Sequence, residues 1–156
     1  MKLISKEIKS KYGKKILFDE ALANYSWFNL GGPSEVFFKP NSLEDIIFFF
    51  KNVKAKNITI LGAGSNTLIR DGGVKGITIK LSSQFSHLNL LSSNIIEAGA
   101  ATLDKKIADF ALANSLTGFE FLACIPGSIG GAIRMNSGCY GEDISQILHS
   151  IKVVDL

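Results

Sequence analysis

A chain of 156 residues, 46% of them hydrophobic, is long enough to bury one ordinary core or two small lobes. Its longest apolar runs, such as Ile46–Phe50, fall far short of the roughly 20 residues of a membrane span, and no secretory leader pattern opens it, so a cytoplasmic protein without a membrane partner is expected. The net charge of +3 is a property of the start alone: six lysines precede residue 16 against one acid, Glu7, while the rest carries 11 basic and 13 acidic residues. With no recognition motif beside them, these lysines read as a short solvated helix or frayed tail rather than a nucleic-acid arm.

After a lead-in at Ile16–Leu22, the segment Asn24-Tyr25-Ser26-Trp27-Phe28-Asn29-Leu30 runs into the turn Gly31-Gly32-Pro33. Ser34–Lys39 then reads as a strand centred on Val36, Phe37 and Phe38. A helix follows, with Ser42 as its cap, Glu44 and Asp45 at its positive end and Leu43, Ile46, Ile47, Phe50 and Val53 at helical spacing. Phe48 and Phe49 widen that apolar stripe, so the helix is expected to be covered on two sides or to face a partner.

The stretch Ile58–Asn66, ITILGAGSN, is the centre of the chain. A strand emptying into two glycines aims several backbone N–H groups at one point, which suits an anion such as phosphate; a plain tight turn between two strands is the other reading. The dinucleotide fingerprint is not met, since Thr67 stands where its third glycine would be and no long helix follows. The Gly-Lys-Ser/Thr ending of an ATP-type loop is also missing. Residues 67–70 look extended up to the turn Asp71-Gly72-Gly73, and Gly76–Leu81 gives the next strand. The resulting β-α-β-β unit predicts parallel pairing of the strands that flank the helix.

A serine-rich stretch around Leu88–Leu91 marks a boundary between lobes. Beyond it, Asn94–Ala100 reads as a strand, and Thr102 as the cap of a helix carrying Leu103, Ile107, Phe110 and Ala111. Gly118–Gly141, GFEFLACIPGSIGGAIRMNSGCYG, holds six glycines among small and apolar residues, with Glu120 and Arg134 its only charges. Glycine so dense in ordered structure implies close approach of backbone to something. Ile144–Leu156 reads as a closing strand. Cys124 and Cys139, with 14 residues between them, fit no metal spacing and read as reduced thiols; no metal site is expected. His87, His149 and Tyr140 read as surface or packing residues.

GAGSN after a strand, IPGSIGGAIRMNSG some 60 positions later and the opening WFNLGGPSEVFFKP together resemble the UDP-N-acetylenolpyruvoylglucosamine reductase family, from about Asn24 onward. The resemblance implies an α+β FAD-binding domain of the p-cresol methylhydroxylase type, with a lobe at 24–82, an incomplete lobe at 94–156, a basic lead-in at 1–23 and the family's substrate-binding domain absent. It implies that Gly62, Ala63, Gly64, Ser65 and Asn66, flanked by Leu61 and Thr67, meet the FAD pyrophosphate. Ile125, Pro126, Gly127, Ser128, Gly130, Gly131 and Ala132 would line another wall against the flavin. Asn136 would bond the cofactor or fix its loop, and Arg134 would either pair with phosphate or face solvent.

In the family, NADPH reduces FAD and flavin passes hydride to the enolpyruvyl group of a UDP-sugar during peptidoglycan synthesis. The family's tyrosine-arginine pair, proton-donating serine and glutamate match nothing in these residues, so no catalytic residue is named. Two other readings stand beside it. A sugar or lactone oxidase of the same fold would carry a histidine at the glycine loop for covalent FAD, and none is there. A non-catalytic domain would only bind FAD or pack on a partner.

Overall fold

The computed structural model describes residues 4–155; Lys2 and Leu3 of the basic segment and Leu156 of the expected closing strand lie outside the described residues. The chain divides into two compact units, one ending at Ser82 and joined by Val154 and Asp155, the other Ser83–Val153.

In the first unit, helix α1 (Lys6–Tyr12) leads into strand β1 (Ile16–Ala21), then β2 (Pro33–Phe38), helix α2 (Leu43–Asn52), β3 (Ile58–Ile60) and β4 (Val74–Ile79). The sheet order is β1-β2-β4-β3, with β1 antiparallel to β2 and the other pairs parallel. The strands flanking α2 are parallel to each other but do not pair. β4 lies between them, because Ile77 and Ile79 supply a second side of apolar contact that either neighbour alone would leave open.

Alternation along β2 explains its run of three large residues. Val36 and Phe38 face α1 and α2 in one cluster, while Phe37 joins Leu22, Leu61 and Ile69 on the other side. A register shift between Ser34 and Val36 brings the Ser34 hydroxyl to 2.8 Å from that of Thr78, so two buried polar groups satisfy each other.

The Ser42 side chain caps α2 by accepting from the Asp45 N–H (3.2 Å). This helix is covered on two sides: Phe49 stacks on Phe38 of the sheet at 4.1 Å, and Tyr12 of α1 meets Phe38, Phe48 and Phe49 edge-on. The basic start forms the short helix α1 rather than a frayed tail, and one face of it is packed, not solvated, because Ile4, Ile8 and Tyr12 are buried in the same cluster. Its lysines flank that packing. Lys9 and Lys11 sit over the rings of Phe18 and Phe48 at 4.8 and 3.1 Å, and Lys15 pairs with Asp45 at 2.7 Å.

The division falls between Ser82 and Ser83, the first serines of the stretch read as a boundary; the rest of that stretch belongs to the second unit, which carries the antiparallel pair β5 (Leu88–Ser92) and β6 (Ile95–Ala98). Helix α3 (Asp104–Ala113) and a 3-10 turn at Glu120–Cys124 precede helix α4 (Ile129–Met135), the short pair β7 (Gly138–Cys139) and β8 (Glu142–Asp143), and helix α5 (Ile144–Ile147). Its core gathers Ile107, Phe121, Leu122, Ala132 and Ile144. Two expectations fail here. Thr102 does not cap α3; buried, it donates its hydroxyl to His87 O at 3.1 Å, and Leu103 holds the cap position without a side-chain bond. The expected closing strand opens as α5 instead, since the Asp143 carboxylate accepts from Ser145 N (2.9 Å) and starts a helical turn.

Asp104, the first residue of α3, is fully buried, and neither carboxylate oxygen has a hydrogen-bond partner. Burial pushes its carboxyl up to about 7. Below the ordinary aspartate value both folded and unfolded chains hold the proton. As pH rises from there to 7 only the unfolded chain releases it, and stability falls by roughly 4 kcal/mol across that window. Urea unfolding at pH 4.5 and pH 8 is expected to show most of this loss, about 3 kcal/mol, in the parent and much less of it in Asp104→Asn; equal pH dependence in both would refute the assignment. Tyr12→Ala should cost about 3 kcal/mol by the same assay, and Tyr12→Phe, which loses only the 3.0 Å bond to Asp45 O, about 1 kcal/mol.

Candidate functional site

Because β2, β4 and β3 are parallel, their carboxyl ends share one edge of the sheet, where ligands of open α/β sheets bind. Leu61 keeps the pairing for one residue past β3, its N–H donating to Ile79 O at 2.8 Å, and the chain then turns at Gly62. From there the backbone N–H groups of Gly62, Ala63, Gly64, Ser65 and Asn66 donate no hydrogen bond among the described residues, the side chains of Ser65, Asn66 and Thr67 form none, and Ser65-Asn66 make the turn that leads into Thr67. A run of donors without acceptors at a glycine turn is a nest for an anion.

Gly64 is buried with φ +78, and a Cβ there would lie 2.0 Å from Tyr25 O. Its glycine is thus demanded by the protein's own backbone. Trp27 N donates to Gly64 O at 3.1 Å, so Tyr25–Trp27 braces the nest from behind. Sequence reasoning missed this brace, and also Lys80, the residue after β4, whose ammonium donates to Gly62 O. Burial first, and the Lys39 cation second, hold the Lys80 ammonium below the usual lysine range. The signal for Lys80 was its place one residue beyond a strand, but only the insertion of β4 beside β3 brings that place to the nest. A cleft of about 360 Å³ opens next to Leu61 and Thr67, lined also by Leu22, Thr59, Arg70 and Thr78. That is within the range of small-molecule sites.

In the second unit, the glycine-rich stretch divides. Gly127 O accepts from Asp104 N (3.1 Å), and a Cβ on Gly127 would stand 2.6 Å from Asp104 Oδ2. Ile129 and Gly130, the first N–H groups of α4, donate to Thr102 O and Ala100 O at 2.9 and 3.0 Å, and a Cβ on Gly130 would meet Ala100 O at 2.8 Å. The small size of Gly127 and Gly130 serves packing on the 100–104 segment. Ala132 lines no open wall, because it is buried in the core of this unit. Ser128 is buried too, holding the α4 cap position without a side-chain bond.

Ile125, Pro126 and Gly131 keep exposed surface, and a Cβ on Gly131 would meet only Ser128 Oγ, at 3.7 Å. Asn136 fixes its loop: it ends α4 in the left-handed conformation (φ 47) and its Oδ1 accepts from Ser145 N at 3.0 Å. Arg134, His87, His149 and Tyr140 are exposed, and both cysteines are free thiols. Among the described residues no three His, Cys, Asp or Glu side chains form a group able to hold a metal.

Comparison with known proteins completes the picture. The model of the FAD binding domain family matches residues 34–156. A UDP-N-acetylenolpyruvoylglucosamine reductase of Pelagibacter ubique is 48% identical over 96% of this chain and 50% of its own length. One from Orientia tsutsugamushi is 46% identical over 86% of this chain and 46% of its own. The crystal structure of the reductase of that name from Thermus caldophilus superposes with a TM-score of 0.68 at 29% identity, covering 82% of this chain and 44% of that one. The chain spans about half the length of the curated relatives it matches. With a family model covering most of its residues and the nest lying inside the match, the chain belongs to the FAD binding domain family, in the part that UDP-N-acetylenolpyruvoylglucosamine reductases share with it.

Proposed function

We propose that this chain is the FAD-binding portion of a reductase that converts UDP-N-acetylenolpyruvoylglucosamine to UDP-N-acetylmuramate for peptidoglycan, with NADPH as hydride donor. The supporting observation is the run of backbone N–H groups from Gly62 to Asn66 that donate to nothing among the described residues, at the carboxyl edge of three parallel strands. The donor set fits a diphosphate: uncharged backbone donors in a concave turn, with a lysine behind them and no carboxylate bonded to the turn. FAD supplies the hydride-transfer chemistry that no side chain of this protein can provide.

The residues of the chain bind and orient. Gly62–Asn66, with Leu61 and Thr67, are assigned to the pyrophosphate, and Ser65 and Asn66 add side-chain donors beside the backbone. Ile125, Pro126, Gly127, Ser128, Gly130 and Gly131 remain proposed contacts of the second unit, with Gly131 the position that leaves space for a ligand. Asn136 acts on its own loop through Ser145. No residue here is assigned to proton donation or to the UDP-sugar. A cytoplasmic location goes with this role and with two free thiols.

Titration of the purified chain with FAD and with FMN, followed by flavin fluorescence, is expected to show saturable binding with a clear preference for FAD, since the nest reads the diphosphate that FMN lacks. Equal affinity for the two would remove that assignment. Gly64→Val should abolish binding, because its side chain collides with Tyr25 O at a positive φ. Gly131→Ala gives the cleaner test in the second unit. Alanine favours the helix by about 1 kcal/mol and meets nothing close, so heat stability should hold or rise while FAD affinity falls; unchanged affinity would take Gly131 out of the site.

A further inference from the structure

Lys80 is placed by backbone on both sides. Its own N–H donates to Phe38 O of β2 (3.0 Å), and the carbonyl before it, Ile79 O, accepts from Leu61 N just past β3 (2.8 Å). The side chain is half-buried, and its ammonium donates to Gly62 O, the first carbonyl of the nest. No carboxylate pairs with it: among the described residues the ion pair is Lys15 with Asp45. The charge acting on Lys80 is the like charge of Lys39, one residue past β2. A half-buried cation facing another cation is costly unless an anion is brought near.

The geometry of the peptide group decides what Lys80 does. A trans peptide points its C=O and its N–H in opposite directions. With Gly62 O drawn toward Lys80, the Ala63 N–H is turned away from the lysine, and that N–H donates to no group among the described residues. A hydrogen bond from a charged donor to the carbonyl also polarises the amide, which makes its N–H a stronger donor. Freed of Lys80, the same peptide could rotate and present a carbonyl oxygen to the anion, turning attraction into repulsion.

We propose that Lys80 is a positioning residue for the cofactor's diphosphate, acting through the Gly62–Ala63 peptide whose orientation it holds. This rests on the reading that the nest takes the FAD diphosphate, so the test separates the two. The 156-residue chain, Lys80→Met and Lys80→Arg are titrated with FAD and, by calorimetry, with inorganic pyrophosphate, and each is melted without ligand. Lys80→Met is expected to bind both ligands about tenfold or more weakly. Lys80→Arg, which keeps donor and charge, should stay within about threefold of the parent. Heat stability of Lys80→Met should not fall, since an unpaired half-buried charge is removed, and the Ala63 amide resonance should shift in the ligand-free protein.

Parental affinity of Lys80→Met for both ligands overturns the proposal. So does a fall in affinity that tracks a fall in heat stability, which would assign Lys80 to the fold alone. A parent that binds pyrophosphate but not FAD, with Lys80→Met weakened, removes the FAD reading and supports Lys80; a parent that binds neither overturns both. Should Lys80→Met fail to fold, Lys80→Gln is read on the same scale, weakened binding supporting the proposal and parental affinity overturning it.

Discussion

The site in the first unit depends on one constraint, the insertion of β4 in parallel between β2 and β3. Parallel strands bring their carboxyl ends to one edge, and two of these three end in something the site uses: Lys80 after β4 and the turn at Gly62 after β3. Were β2 and β3 direct neighbours, Lys80 would have no reason to lie beside Gly62. The ladder is carried past the last strand residues by Leu61 N to Ile79 O and Lys80 N to Phe38 O, so the turn starts from fixed points. A nest is useful only if its N–H groups converge, and convergence needs anchored ends.

Two apolar clusters hold that sheet from both faces. Val36, Phe38, Ile77 and Ile79 are covered by α1 and α2, and Phe37, Leu61 and Ile69 pack beneath the 61–74 segment that carries the nest. The clusters bury enough apolar surface to support a few polar groups that packing alone would not favour. Ser34 and Thr78 satisfy each other. Lys80 is different, a half-buried cation without a carboxylate, and so, within the second unit, is Asp104, a fully buried carboxyl without any donor. Each lies under a glycine turn, Lys80 at Gly62 and Asp104 at Gly127, and each constrains backbone that the fold would otherwise leave loose.

The glycines show how one composition serves two purposes. At Gly64 and Gly130 the space a Cβ would need is filled by backbone of the same unit, Tyr25 in one case and Ala100 in the other. At Gly131 it is open. A glycine count therefore marks where backbone is crowded, and says nothing of whether the crowding partner is protein or ligand. The family resemblance led to Ile125–Ser128 and Gly130–Ala132 as a ligand wall, and the structure sorts them into packing positions and surface positions, with Ala132 moved into the core.

Much of this was legible in the order of residues because it is local. Ser42 with Glu44 and Asp45 determines where α2 starts, the alternation in β2 follows from Val36-Phe37-Phe38, and the turn after Ile60 follows from its paired glycines. The α+β class and the FAD binding family rest on motifs that survive in sequence for the same local reason. What tertiary structure alone decided is non-local: β4 between β2 and β3, α1 as the second cover of α2, Thr102 turned to His87 O, and the backbone of Tyr25 behind Gly64. Each depends on which distant group reaches a given atom first, and spacing along the chain carries no record of that competition.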